Sequence, residues 1–167
     1  EFWSYLNSHI KMKNPDAFLL AEVYNPDLYR AYIHKGKMDY LYDKVELYDS
    51  LKHIMKGYGW TDHIPVVQKG LMDIEHHMLH FLENHDEAPV QTTMHQEKHF
   101  AAAMLVAHMP GMRFYHGGQW EGKRVLVPVQ LRRRPEEPKC DCLVSGALDG
   151  GWEKTLLPGI TDLNCLC

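Results

Sequence analysis

The chain has 167 residues, 45% of them hydrophobic, which is enough for one domain with a real core. Its 22 acidic and 18 basic residues are spread along the sequence and leave a net charge of −4. That argues against nucleic acid as a partner, because gripping a phosphate backbone takes a concentrated basic face. No apolar run approaches the roughly 20 residues of a membrane span, so no membrane partner is expected.

The chain shows no signal-peptide pattern and opens on Glu1-Phe2-Trp3, as if entered partway through a longer protein; localisation is therefore left open. Residues 2–12 carry Phe2, Trp3, Leu6 and Ile10 on one face at helical spacing, and Asn14-Pro15-Asp16 breaks that helix. Phe18 to Val23, FLLAEV, is an apolar run of strand length that ends by delivering Glu22. Tyr24 follows, then Asn25 as an N-cap and Pro26 as a first helical residue, so a helix is expected over residues 27–35, stopped by Gly36. Its buried stripe should be Leu28, Tyr29, Tyr32 and Ile33.

Met38 to Tyr42 is a short strand, and the next helix places Leu47, Tyr48, Leu51, Ile54 and Met55 on one face before Gly57. Trp60 to Lys69 reads as loop, with a short helix up to His77. A third strand, Met78 to Leu82, leads into Glu83, Asn84, His85, Asp86 and Glu87. A helix over 96–108, with Phe100, Ala101, Met104 and Leu105 inward, ends at Pro110-Gly111. Met112 to Tyr115 is the fourth strand, leading into His116, Gly117, Gly118 and Gln119. A helix followed by four strand-and-helix units suits parallel crossovers.

A lone Glu after a hydrophobic strand is ordinarily a polar side chain reaching solvent, and Asn-His-Asp alone is ordinarily a polar turn. Here AEVYNP and FLENHDE occur in order, with GKMDYLYDKVELYD between them and PGMRFYHGGQWEGKRVLVPVQLRRRPEEP after them. Together these segments resemble the α-amylase superfamily of retaining glycoside hydrolases, over roughly residues 1–141. The resemblance implies an α/β fold, a partial (β/α)8 TIM barrel of about four β/α units running from the fifth strand to the eighth. A complete barrel takes about 250 residues.

The resemblance also implies roles. Glu22 would be the catalytic general acid/base and Asp86 the catalytic carboxylate that steadies the transition state. His85, Asn84, Tyr24 and Gln119 would be the substrate-binding residues, with Asn84 also orienting its turn. The implied partner is an α-glucan or maltooligosaccharide; no cofactor is required, although Ca2+ is compatible with the family. The family's nucleophilic Asp and its third-strand Asn-His pair would precede Glu1. Ala88, Pro89 and Val90 stand where family patterns carry an Arg.

Residues 142–167 depart from the family and read as a divergent, cysteine-containing tail. Cys140, Cys142, Cys165 and Cys167 form two C-x-C pairs, open to zinc, disulfide or free-thiol readings. The basic cluster Arg132 to Arg134 with Lys139 lies beside Glu136 and Glu137 and reads as solvated. His76 and His80 would form an i, i+4 metal pair only if both were helical. Trp60, Trp120 and Trp152 could stack on sugar rings, although core or surface roles are the ordinary ones. Two further functions stay open: a non-catalytic glucan-binding fragment, and a metal-dependent hydrolase using histidines or cysteines. Half a barrel would also leave open sheet edges that favour self-association.

Overall fold

A computed structural model describes residues 1–94, 96–130 and 136–137. The expectations for Arg132 to Arg134, Lys139, the four cysteines, Trp152 and the tail lie outside these residues. The chain divides into two compact units: Glu1–His80 with Met109–Arg113, and Phe81–His108 with the described residues from Phe114 onward.

The first unit is built on a parallel sheet of four strands in chain order: β1 (Leu20–Ala21), β2 (Tyr40–Tyr42), β3 (Met78–His80) and β4 (Met112–Arg113). Leu20 pairs with Tyr40, Leu41 with Met78 and Leu79 with Met112, so each strand adds to the one before it. Parallel neighbours need long crossovers, and helices supply them. The fold class is α/β, as the sequence predicts.

The helix α1 (Phe2–Lys13) precedes the sheet. Its buried Asn7 donates a side-chain N–H to the Lys37 carbonyl, and Lys11 pairs with Asp39. Asp39 does more at the start of β2. Its carboxylate accepts the Leu19 N–H at 2.8 Å, and its carbonyl accepts from His77 Nδ1 at 2.8 Å. One residue thereby fastens α1 and the entries of β1, β2 and β3.

After β1, Asn25 Oδ1 accepts the Asp27 N–H at 3.1 Å, as a cap should. The single helix expected over 27–35 is instead a 3-10 turn, Pro26–Leu28, and a widened π turn, Ala31–Lys35. The chain closes tightly there: a Cβ on Gly36 would sit 2.5 Å from the Tyr32 carbonyl oxygen. Tyr29 and Ile33 are buried with Tyr32 packed beside them, but Leu28 is exposed.

Beyond β2, Asp43 Oδ1 accepts the Leu47 N–H at 3.0 Å and starts a π turn, Lys44–Tyr48, that runs into α2 (Asp49–Met55). The region read as loop is largely α3 (His63–Leu71), with Val67 and Leu71 buried one turn apart. Pro65 is tolerated because it lies in the first turn, where the N–H has no intrahelical partner. The core of this unit gathers Val23, Tyr29, Ile33, Met38, Leu41, Val67, Leu71, Ile74 and Met78.

The strands are shorter than their apolar runs. At Leu19 one carbonyl accepts from both Asp39 and Tyr40 N–H, so regular pairing begins only at Leu20.

The second unit holds α4 (Val90–Thr93) and α5 (Gln96–His108). His99, Ala102 and Val106 are the fully buried positions of α5, not the expected Phe100, Ala101, Met104 and Leu105. After β4 the chain makes turns with Gly118 and Gly122 at positive φ, where the Tyr115 and Trp120 rings meet at a tilt of 42° with centroids 4.7 Å apart.

Candidate active site

In the first unit, Glu22 directly follows β1 and is exposed. Tyr24, two residues on, reaches back and donates its hydroxyl to Glu22 Oε2 at 3.0 Å. Val23 between them is buried, so the extended backbone sends the residues on either side of it outward. A carboxylate with a neighbouring hydroxyl, at the C-terminal end of a parallel strand, is suitably placed for proton transfer to a bound molecule.

In the second unit, Asn84, His85 and Asp86 form a single turn. Asn84 is buried, and its Oδ1 accepts the N–H groups of Asp86 at 3.0 Å and Glu87 at 2.8 Å. This Asx turn fixes the backbone from which His85 and the exposed Asp86 project. His85 Nε2 lies 3.3 Å from Asp86 Oδ2. Both side chains are well solvated, so the pair contributes little to stability and remains available for other contacts.

Gln119 is buried, and its Oε1 accepts the His116 N–H at 3.4 Å. Its geometry here is that of a residue shaping its own turn.

The sequence reading did not single out Glu83. This carboxylate is 1% exposed and is held by two partners: the Val90 N–H at 2.9 Å and His116 Nδ1 at 3.2 Å. It joins the Asn84 turn to the start of α4 and to the His116 loop. Nearby, buried His99 hydrogen-bonds the Gln91 side-chain amide through Nδ1 at 2.9 Å. Burial pushes the His99 imidazole below its ordinary range, and the negative charge of Glu83 opposes that shift. An acidic residue inside the apolar stretch HFLENHD was the available signal.

A second buried pair lies in the first unit. His80 Nδ1 faces Asp43 Oδ2 at 3.0 Å, and both side chains are fully buried. His80 Nε2 donates to the Pro110 carbonyl at 2.8 Å, so that nitrogen carries a proton. The Nδ1···Oδ2 approach is a close electrostatic contact, and neither of these two buried atoms has a hydrogen-bond partner. Around this pair the carboxyls of Glu46 and Glu75 are raised, first by burial; the Asp43 charge adds to both, and His80 opposes it at Glu75.

His76 and His80 are not on a helix: Glu75–His77 is a 3-10 turn and His80 is in β3. The helical spacing on which the i, i+4 metal pair depends is therefore not present.

No family model and no curated protein matches the sequence. Solved structures do match its fold. An α-amylase from Anoxybacillus superposes with a TM-score of 0.71 at 20% identity, covering 94% of this chain and 37% of that one. A maltogenic α-amylase from Thermotoga neapolitana gives 0.65 at 17%, covering 86% and 33%. An α-amylase from H. orenii gives 0.62 at 24%, covering 75% and 27%. The chain thus spans about a third of the length of the α-amylase structures it resembles, and its fold is that of part of such a barrel.

Proposed function

We propose that this chain carries part of the active site of a retaining glycoside hydrolase acting on α-glucosidic bonds of starch-like glucans or maltooligosaccharides. The observation that carries the reading is Glu22 at the C-terminal end of β1 with its Tyr24 hydroxyl partner, in a fold shared with α-amylases. Active sites of such barrels form at that end of the strands. Glu22 would donate a proton to the glycosidic oxygen and later accept one from water. Asp86 and His85, projecting from the Asn84 turn, would hydrogen-bond sugar hydroxyls beside the reacting carbon, with Tyr24 and Gln119 completing the binding set. The reading calls for no cofactor and is compatible with Ca2+.

Retention takes a second carboxylate about 5 to 5.5 Å from the acid/base, acting as nucleophile. In the family resemblance that role falls to an Asp on an earlier strand, and no residue of this chain is assigned to it. A chain that lacks a substitute would bind glucans without cleaving them, and this is the second reading.

The test is reducing-sugar release from soluble starch by the chain, by Glu22→Gln and by Asp86→Asn. A loss of at least about 100-fold in each variant is expected if the residues act as assigned. Activity unchanged in both would overturn the assignment. A chain with no activity that still binds maltoheptaose, less tightly as Asp86→Asn, would support the binding reading.

A further inference from the structure

We propose that Glu83 is the positioning residue of the turn that carries His85 and Asp86: its buried carboxylate ties that loop closed and fastens it, through His116, to the turn at Gln119. The role assumes the sugar-binding function proposed above for His85 and Asp86, and Glu83 acts on a sugar only through them.

Glu83 opens the loop and Val90 closes it. Glu83 Oε2 accepts the Val90 N–H at 2.9 Å, seven residues on, so one side chain joins the two ends. The next residue works inside the loop, where Asn84 Oδ1 accepts the N–H groups of Asp86 at 3.0 Å and Glu87 at 2.8 Å. Two adjacent side chains thereby hold the N–H groups of Asp86, Glu87 and Val90. Glu83, Asn84, Pro89 and Val90 are all buried, and they flank the half-buried His85 and the exposed Asp86.

The other carboxylate oxygen reaches outside the loop. A carboxylate only accepts, so His116 Nδ1 carries the proton and donates to Oε1 at 3.2 Å. His116 is fixed in turn by Gln119, whose Oε1 accepts the His116 N–H at 3.4 Å and whose N–H donates to the His116 carbonyl at 3.0 Å. Gln119 is itself buried, so the line of contacts from Gln119 through His116 to Glu83 ends on anchored groups.

Stability alone does not call for a carboxylate at this place. Burying one is costly, and an apolar side chain of similar volume often serves a fold as well or better. A buried carboxylate supplies direction, because each hydrogen-bond partner must stand at a set distance and angle. The loop needs that direction. The His85 and Asp86 side chains are 41% and 63% exposed, and solvent weakens their mutual contact at 3.3 Å, so their placement comes from the backbone beneath them.

The experiment compares the full chain with Glu83→Met, Glu83→Gln and His116→Phe by amide hydrogen exchange and by titration calorimetry with maltoheptaose. Glu83→Met keeps the buried volume and removes both contacts. Glu83→Gln keeps an acceptor for Val90 and an N–H that can face His116 in its other tautomer, and His116→Phe removes the outer contact alone. The expected result in Glu83→Met is exchange at least about tenfold faster at Asp86, Glu87 and Val90, with far smaller changes at the Leu41 and Leu79 amides of the sheet. Glu83→Gln should restore most of the protection, and His116→Phe should lose part of it. Maltoheptaose affinity should fall at least about fivefold in Glu83→Met, and combining it with Asp86→Asn should weaken binding no further than the weaker single variant.

Wild-type exchange in the loop of Glu83→Met would overturn the role, as would an equal rise across the whole chain or additive losses in the double variant. Should Glu83→Met not fold, His116→Phe decides the matter at the same amides. No binding by the wild-type chain would count against the function proposed above, and the exchange rates would then decide the positioning role on their own.

Discussion

His80 and Asp43 face each other at 3.0 Å with no exposed surface on either side chain, and they join the end of β3 to the residue that follows β2. Asp43 also caps the turn at Leu47, and His80 holds the Pro110 carbonyl. Asp43→Ala removes the cap and strands a buried imidazole, and should cost about 3–5 kcal/mol. Asp43→Asn keeps an oxygen for Leu47 and offers an N–H to Nδ1, so it should lose less than half as much. Urea unfolding measures both; an alanine variant within about 1 kcal/mol of wild type would contradict the role given to the pair.

Gly111 shows a different kind of constraint. Its φ is +97°, and a Cβ there would lie 2.4 Å from the Met78 carbonyl oxygen and 2.8 Å from that of Glu75. Gly111→Ala meets a conformational penalty and a clash with backbone together. A loss of at least about 2 kcal/mol is expected in thermal unfolding, and a neutral outcome would mean that the entry to β4 can shift.

Acid should weaken the fold through His99. Burial holds its folded pKa below the ordinary 6.5 of the unfolded chain, so the unfolded state takes up the proton first. The stability linked to this group is therefore complete above about pH 6.5 and is lost as pH falls toward the folded value. His99→Gln should flatten that acid limb in urea midpoints measured from pH 7 to pH 5. An unchanged slope would assign the limb to other groups.

Among the described residues, β1 and β4 are each paired on one side only. Phe2, Tyr5, Met12 and Phe18 are more than half exposed in the same unit. Unpaired edges and apolar surface favour association. Sedimentation should show dimers or larger species at micromolar concentration; a sharp monomer that unfolds cooperatively would contradict this.

The sheet was legible because Leu20, Leu41 and Leu79 sit in apolar runs that return at crossover spacing. The lengths were not, since Asp39 diverts the hydrogen bonds at Leu19 and no propensity reports a tertiary carboxylate. The phase of α5 was misread because Ala101, Ala102 and Ala103 give no contrast between faces and the buried stripe begins at a histidine. At the site, the Asn84-His85-Asp86 turn was visible as a polar stop after an apolar run. Glu83 and the Asp43–His80 pair were hidden because they are buried polar residues whose facing groups are distant in sequence.

Asp39 gives the sheet a further property. The residue ties three strand entries and α1 at one end, so strand register is set away from the loops that leave β1 at Glu22 and β2 at Asp43. Those loops are accordingly the places to graft, lengthen or randomise sequence, since a library built there inherits alignment from the opposite end of the sheet.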